Sequence, residues 1–342
     1  MTYKRTALLK PLFLSLMLTT GAVSAQEVII LKVSHFLPAA SNAQAKLIEP
    51  WCAKVNTESN GRLKCQIYPS MQLGGTPPQL FDQVKDGVAD IVWTLPSMQA
   101  GRFVASEVFE LPFIVSSSEK GSRALWNYAT KNATQEYKGV KPLAFHLHDG
   151  SVLHTNNKVI KTLDDFKGLK VRTPTRQSTR LITALGGTPV SIPMPQVPDA
   201  LSKGVVDGAM VPWEVAPSVK LDEIAKFHTE TDPSMPQISN SVFIFGMNQA
   251  KYDGLPADLK KVIDANSGAE LSAAAGRIFP VAGQETRKLA IDHKNTFYVV
   301  PALEVQKWQK AAQSVTDEWI KDVTAKGFDG KKLLEEARAS MK

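Results

Sequence analysis

Arg172 is the residue whose type and setting point most directly to chemistry. In the run Leu169–Thr173, alternation puts Leu169, Val171 and Thr173 on one face of a strand and Lys170 and Arg172 on the other. Pro174 ends that strand and Thr175 can cap a helix running to Leu185, so the guanidinium would stand at a strand end beside a helix N-terminus that helps hold an anion. A guanidinium is a planar fork that meets a carboxylate through two parallel hydrogen bonds, a geometry lysine does not offer. The local pattern by itself also fits a surface arginine or a structural ion pair.

Other reactive residue types form no complete set. His146 and His148 alternate onto one strand face with His154 nearby, but no carboxylate stands at metal-ligand spacing and no His-Glu-x-x-His occurs. Ser117-Ser118-Glu119-Lys120 contains a Ser-x-x-Lys without the Ser-Asp-Asn and Lys-Thr-Gly motifs of penicillin-recognising enzymes, and reads as a helix start. No Gly-x-Gly-x-x-Gly or phosphate loop is present. No metal and no cofactor are therefore expected, and ligand capture is a better reading than turnover.

The elements that must position these groups alternate in type. Val28–Val33 reads as a strand, about 43–59 as a helix disturbed at Pro50, Leu63–Tyr68 as a strand, about 78–86 as a helix and Ala89–Trp93 as a strand. Such alternation predicts an α/β architecture with largely parallel sheets. The segment Val84–Trp93 is echoed by Leu201–Met210. In each a helix stops at glycine (Gly87, Gly204), an apolar pair and an aspartate follow (Asp90, Asp207), and a strand begins. Two similarly built lobes would explain the echo, as would chance likeness of a common helix-to-strand joint. The second lobe would start near Gly150. Further on come a β-rich run at Val242–Phe245, a helix-forming stretch of about 256–293 interrupted at Pro280, and a C-terminal helix with Trp308, Ala311, Ala312, Val315 and Trp319 on one apolar face.

The chain has 342 residues, 43% hydrophobic and 21% charged, which suits about two globular domains and excludes disordered, collagenous and coiled-coil classes. Lys4 and Arg5, an apolar stretch near Leu12–Leu18 and the Ala22-Val23-Ser24-Ala25 end have the anatomy of a secretory signal peptide, residues 1–25. Losing Lys4, Arg5 and Lys10 with it takes the net charge from +7 to +4. The remaining excess forms no Lys/Arg run, so nucleic acid has no patch to bind. The mature product is expected in the periplasm. There Cys52 and Cys65 can pair, closing a loop valued at about 3 kcal/mol; two buried thiols that never meet are the alternative.

Three motifs carry a family resemblance: Leu111-Pro112-Phe113 after Glu110, Gly168-Leu169-Lys170-Val171-Arg172-Thr173-Pro174, and Gly204-Val205-Val206-Asp207-Gly208. In this order and spacing they resemble the substrate-binding subunits of tripartite ATP-independent periplasmic (TRAP) transporters, of the dicarboxylate-binding (DctP) type. The resemblance implies a two-lobed α/β periplasmic binding protein with mixed, largely parallel sheets and a long helix crossing both lobes. Residues 26–149 and 244–282 would form lobe I, and 150–243 and 283–342 lobe II. It implies a monomer that closes on a small organic acid, with Arg172 gripping the carboxylate, and that delivers the acid to membrane permease subunits. By position, the cleft would also draw on Trp93, Thr94, Thr175, Arg176 and Met210–Trp213. Where sialic-acid binders of the family carry a second arginine, this chain offers Val152 and His154, and where many members have asparagine it has Val211. A highly polar sugar acid therefore fits poorly.

Phe36, Trp93, Met210 and Trp213 would wall the cleft, with Arg172 and Arg176 as its cations, which favours a monocarboxylate with an aromatic or apolar body. A C4-dicarboxylate would need Arg176 or a helix N-terminus for its second carboxylate. Receptors that signal to a sensor kinase and secreted enzymes are the remaining alternatives. Glu214 could in principle join a bridging cation, but no metal is expected.

Overall fold

The computed structural model describes residues 1–2 and 27–341, so the expected signal peptide lies outside the described residues apart from its first two. The apolar runs form β1 (Ile29–His35), β2 (Leu63–Tyr68), β3 (Ile91–Thr94) and β4 (Val140–His146). They continue as β5 (Val152–Thr155), β6 (Lys170–Thr173), β7 (Thr188–Ser191), β8 (Gly208–Val211) and β9 (Phe227–Thr231), then β10 (Phe243–Asn248) and β11 (Thr296–Val300). One sheet has the order β2-β1-β3-β10-β4 and the other, read from its matching edge, β7-β6-β8-β5-β9-β11. In each, the first three strands are parallel and the fourth is antiparallel to both neighbours. That fourth strand always arrives from the other lobe: β5 follows β4 across residues 147–151, and β10 follows β9 across 232–242. The protein is a two-lobed α/β fold whose sheets exchange strands at the hinge.

The internal echo is structural. Gly87 and Gly204 both take positive φ, +78° and +68°, the left-handed turn that stops a helix and that glycine adopts without steric cost. Asp90 Oδ2 accepts the Lys32 N–H at 2.8 Å, and the Asp90 N–H donates to the Lys32 carbonyl at 2.9 Å. Asp207 repeats both bonds with Lys170, at 2.8 and 2.8 Å. One aspartate per lobe thus pins β1 to β3 and β6 to β8, which fixes the strand that carries Arg172.

A long helix, Ala269–Asp292, makes the third link and runs on through Pro280. It lies against the helix Ser118–Asn132 and β4 on one side and the Trp213–Val219 turn on the other. Gly276 permits that approach, since a Cβ there would sit 2.4 Å from the Ser118 carbonyl oxygen. The expected helix of 43–59 is divided: a wide π turn at Ala43–Ile48 precedes the α-helix Glu49–Glu58, so Pro50 falls in a first turn where its missing N–H costs little. The expected single C-terminal helix is also divided, at Ala312, into Ala302–Ala311 and Gln313–Ala325. Trp308 packs on Phe166 in the second lobe, whereas Trp319 donates its indole N–H to the Val104 carbonyl of the first at 2.8 Å. The two tryptophans serve different cores, and the last helix, Gly330–Ser340, packs back on Ser118–Asn132. Cys52 and Cys65 are bonded with Cα atoms 5.7 Å apart, tying the helix Glu49–Glu58 to β2.

Candidate ligand-binding site

Arg172 stands on β6 with only 1% of its surface exposed. Its Nε donates to the Ile192 carbonyl at 2.7 Å and its Nη1 to the Met210 carbonyl at 3.1 Å. These bonds fix the plane of a group with five N–H donors, leaving donors over for a ligand. Among the described residues no carboxylate pairs with it. Burial without an acid pushes its pKa down to about 9, so at neutral pH it remains a charged, dehydrated cation in want of an anion.

The cavity beside Arg172 lies between the lobes and is walled by aromatic rings. Phe36 stacks on Trp93 at 5.3 Å between centroids, Trp93 on Phe243 at 4.5 Å, Phe243 on His146 at 4.9 Å and His146 on Phe279 at 4.9 Å. Leu37, Leu95, Met98, Pro174, Met194, Met210, Pro212 and Val215 complete the apolar lining. Polar lining comes from Asn42, His148, Glu214 and Ser241. The Trp93 indole N–H donates to His146 Nε2 at 2.8 Å, so that nitrogen is unprotonated. Desolvation holds both His146 and His148 at about 3 and keeps them neutral. Burial, with the Asp149 charge adding, drives the Glu214 carboxyl well above its usual range. Arg172 is thus the one cation of the lining among the described residues. About 50 Å³ is open to the centres of water molecules, and at roughly 10–15 Å³ per water the space suits a compact ligand.

Of the residues singled out from sequence, Phe36, Trp93, Arg172 and Met210 line this cavity. The others do not. Thr94 is buried at the end of β3 beside it. Thr175 caps the helix Arg176–Ala184 and accepts the Ser178 N–H. Arg176 is drawn off by Glu107 at 2.6 Å and Asp322 at 2.7 Å. Trp213 points into the second lobe, edge-on to His154 and His228, with its N–H on Glu230 at 2.8 Å. His154 is tied up with His228 at 2.8 Å and the Val211 carbonyl at 3.0 Å. Sequence reading missed Phe243, Phe279 and Asn42 as lining, and valued His146 and His148 only as metal candidates. Their shared strand face was the available signal; Phe279, inside a run of small helix formers, gave none. Among the described residues no three His, Cys, Asp or Glu side chains converge as metal ligands.

Asn42 of the first lobe donates from Nδ2 to the Glu214 backbone carbonyl of the second at 2.6 Å, and Lys46 pairs with Glu285 at 2.5 Å. These bonds bridge the cleft beside the cavity, so the lobes are drawn together around it.

Known proteins share this fold. A TRAP solute binding protein from Rhodoferax ferrireducens, solved with copurified benzoate, superposes with a TM-score of 0.91 at 47% identity over 92% of this chain and 98% of that one. A marine metagenome TRAP solute binding protein specific for aromatic acid ligands, with 3-hydroxybenzoate, gives 0.90 and 43% over the same shares. One from Bordetella bronchiseptica, with (R)- and (S)-mandelate bound, gives 0.84 and 26%, again over 92% and 98%. The family model described as bacterial extracellular solute-binding protein, family 7 (DctP), matches residues 33–322, from within β1 to within the helix Gln313–Ala325. Both lobes, the strand exchange and the strand arginine fall inside that match, and the chain belongs to the DctP family of bacterial extracellular solute-binding proteins.

Proposed function

We propose that this protein is the periplasmic receptor of a TRAP-type transporter, binding an aromatic monocarboxylate and handing it unchanged to membrane permease subunits. The observation that carries the reading is Arg172: a fully buried guanidinium without an acidic partner among the described residues, set in a cavity of stacked aromatic rings. The ligand carboxylate would supply the missing charge and accept two parallel hydrogen bonds, while its ring enters the Trp93 and Phe243 wall. Support comes from the solved relatives that hold benzoate, 3-hydroxybenzoate and mandelate. Export fits the leader-like residues 1–25, and no helix among the described residues is long and apolar enough to cross a membrane.

A C4-dicarboxylate is the weaker reading because Arg176, the second cation it would need, is already engaged by Glu107 and Asp322. Closure would follow population shift: an acid that touches Arg172 on the second lobe and Trp93 on the first binds the closed form better than the open one. Calorimetry with benzoate, mandelate and benzoylformate beside succinate and malate tests the assignment. Heat from the aromatic acids alone is the expected result. Tight binding of succinate or malate with none from the aromatic acids would overturn it.

A further inference from the structure

The cavity has an unsatisfied group away from Arg172. His148 is 2% exposed and lines the cavity; a Gly150 backbone group lies near its ring, yet its Nδ1 is buried with no hydrogen bond of normal geometry among the described residues. Buried polar atoms in native proteins are nearly always bonded, so an orphan on a cavity wall points to a bond made by what fills the cavity. The position of this ring is no accident of a loose loop. Asn240 Oδ1 accepts the N–H groups of both His148, at 3.1 Å, and Ser241, at 2.8 Å, and its Nδ2 donates to the His148 carbonyl at 2.9 Å. Ser118 adds a second donor to that carbonyl at 2.6 Å. One amide side chain, at the point where the chain passes between lobes, therefore holds two cavity residues side by side. The His148 ring also stands edge-on to Phe243, 6.3 Å between centroids at 78°, so it meets the rim of the aromatic stack.

We propose that His148 and Ser241 read a hydroxyl group on the ligand's ring, so that the preferred ligand is a hydroxylated aromatic monocarboxylate. The proposal rests on the aromatic-acid reading above. A second carboxylate has no counter-charge here, because His148 is kept neutral by burial and Glu214 is not a cation. A bare ring edge leaves Nδ1 as it stands. A hydroxyl both donates and accepts, so it completes either tautomer of a neutral imidazole and bonds the serine as well.

The test is calorimetry of the full chain with benzoate and with 2-, 3- and 4-hydroxybenzoate, repeated on His148→Phe and Ser241→Ala. At least one hydroxybenzoate is expected to bind the native protein about tenfold tighter than benzoate. In the variants that ratio should fall towards one. Should His148→Phe fail to fold, Ser241→Ala carries the comparison. Benzoate binding as tightly as every hydroxybenzoate, or a ratio unchanged in the variants, would overturn the proposal and leave the aromatic-acid assignment intact. Failure of all four acids to bind would overturn both.

Discussion

Arg176 donates from Nη2 to Oε2 of Glu107 across 2.6 Å, joining the helix that follows β6 to a carboxylate of the first lobe that is 1% exposed. Gln177 Nε2 donates to the same oxygen at 2.6 Å, and Arg176 Nη1 reaches Asp322 at 2.7 Å. The two arginines flanking Pro174 therefore divide two tasks. Arg176 joins the lobes, while Arg172 has no acidic partner among the described residues and stays available to the proposed ligand.

Removing Arg176 strands a buried charge. Arg176→Ala should lower the unfolding free energy by about 3 kcal/mol, the low end for breaking a buried pair, because the arginine is partly exposed. A urea titration reads this directly. The variant should still be stabilised by an aromatic acid. Loss of that response would move Arg176 into the ligand site.

Arg172→Ala should remain folded, since the deleted group was an unneutralised buried charge, and should lose ligand-induced thermal stabilisation. In the native protein a ligand at a hundred times its Kd adds about 2.7 kcal/mol. Arg172→Lys should recover little, because an ammonium cannot span the Ile192 and Met210 carbonyls and a carboxylate together. Near-native affinity in the alanine variant would remove Arg172 from the site.

The Cys52–Cys65 bond closes a sequence separation of 13 residues. Non-reducing mass analysis of the secreted protein should find no free thiol, and the double Cys→Ala variant should lose about 3 kcal/mol in a denaturant titration. Two titratable thiols in the native protein would contradict the pairing.

The sequence made legible whatever depends on local chemistry. The glycine stops with their aspartates marked the joint that both lobes repeat, and β2 was read to its exact bounds, Leu63–Tyr68, because alternation and the Asn60-Gly61 turn coincide there. Arg172 stood out because a charged residue alternates into a strand that ends at proline. What stayed hidden depends on distant partners. The resemblance places Met210–Trp213 at the cleft, but the Trp213 N–H finds Glu230 inside the second lobe. Arg176 looked free because Glu107 and Asp322 lie far from it in sequence. The break at Ala312 carries no proline or glycine signal; it exists because Trp308 and Trp319 have different cores to fill.

Buried ionisable groups set opposing limits on stability as pH changes. Glu110 accepts from Ser97 at 2.7 Å and from the Val242 N–H at 2.9 Å, and is pushed up to about 8 by desolvation first and by the Glu107 charge second. Burial likewise takes Glu136 to about 7. Between their unfolded pKa near 4.5 and these values the folded state holds more protons, so their stabilisation is complete below pH 4.5 and is lost as pH rises through 7 and 8. His146 and His148 act in the other direction. Held at about 3 by desolvation, they are neutral in the folded state while the unfolded chain binds protons below 6.5, so their contribution is present above 6.5 and is lost as pH falls towards 3. The two sets oppose each other between 4.5 and 6.5, and only the carboxyls titrate above that. Thermal stability should therefore peak between about pH 5 and 6.5 and fall by pH 8, and Glu110→Gln should flatten the alkaline limb. A melting temperature that holds level or climbs from pH 6.5 to 8 would show that these carboxyls are ionised in the folded protein.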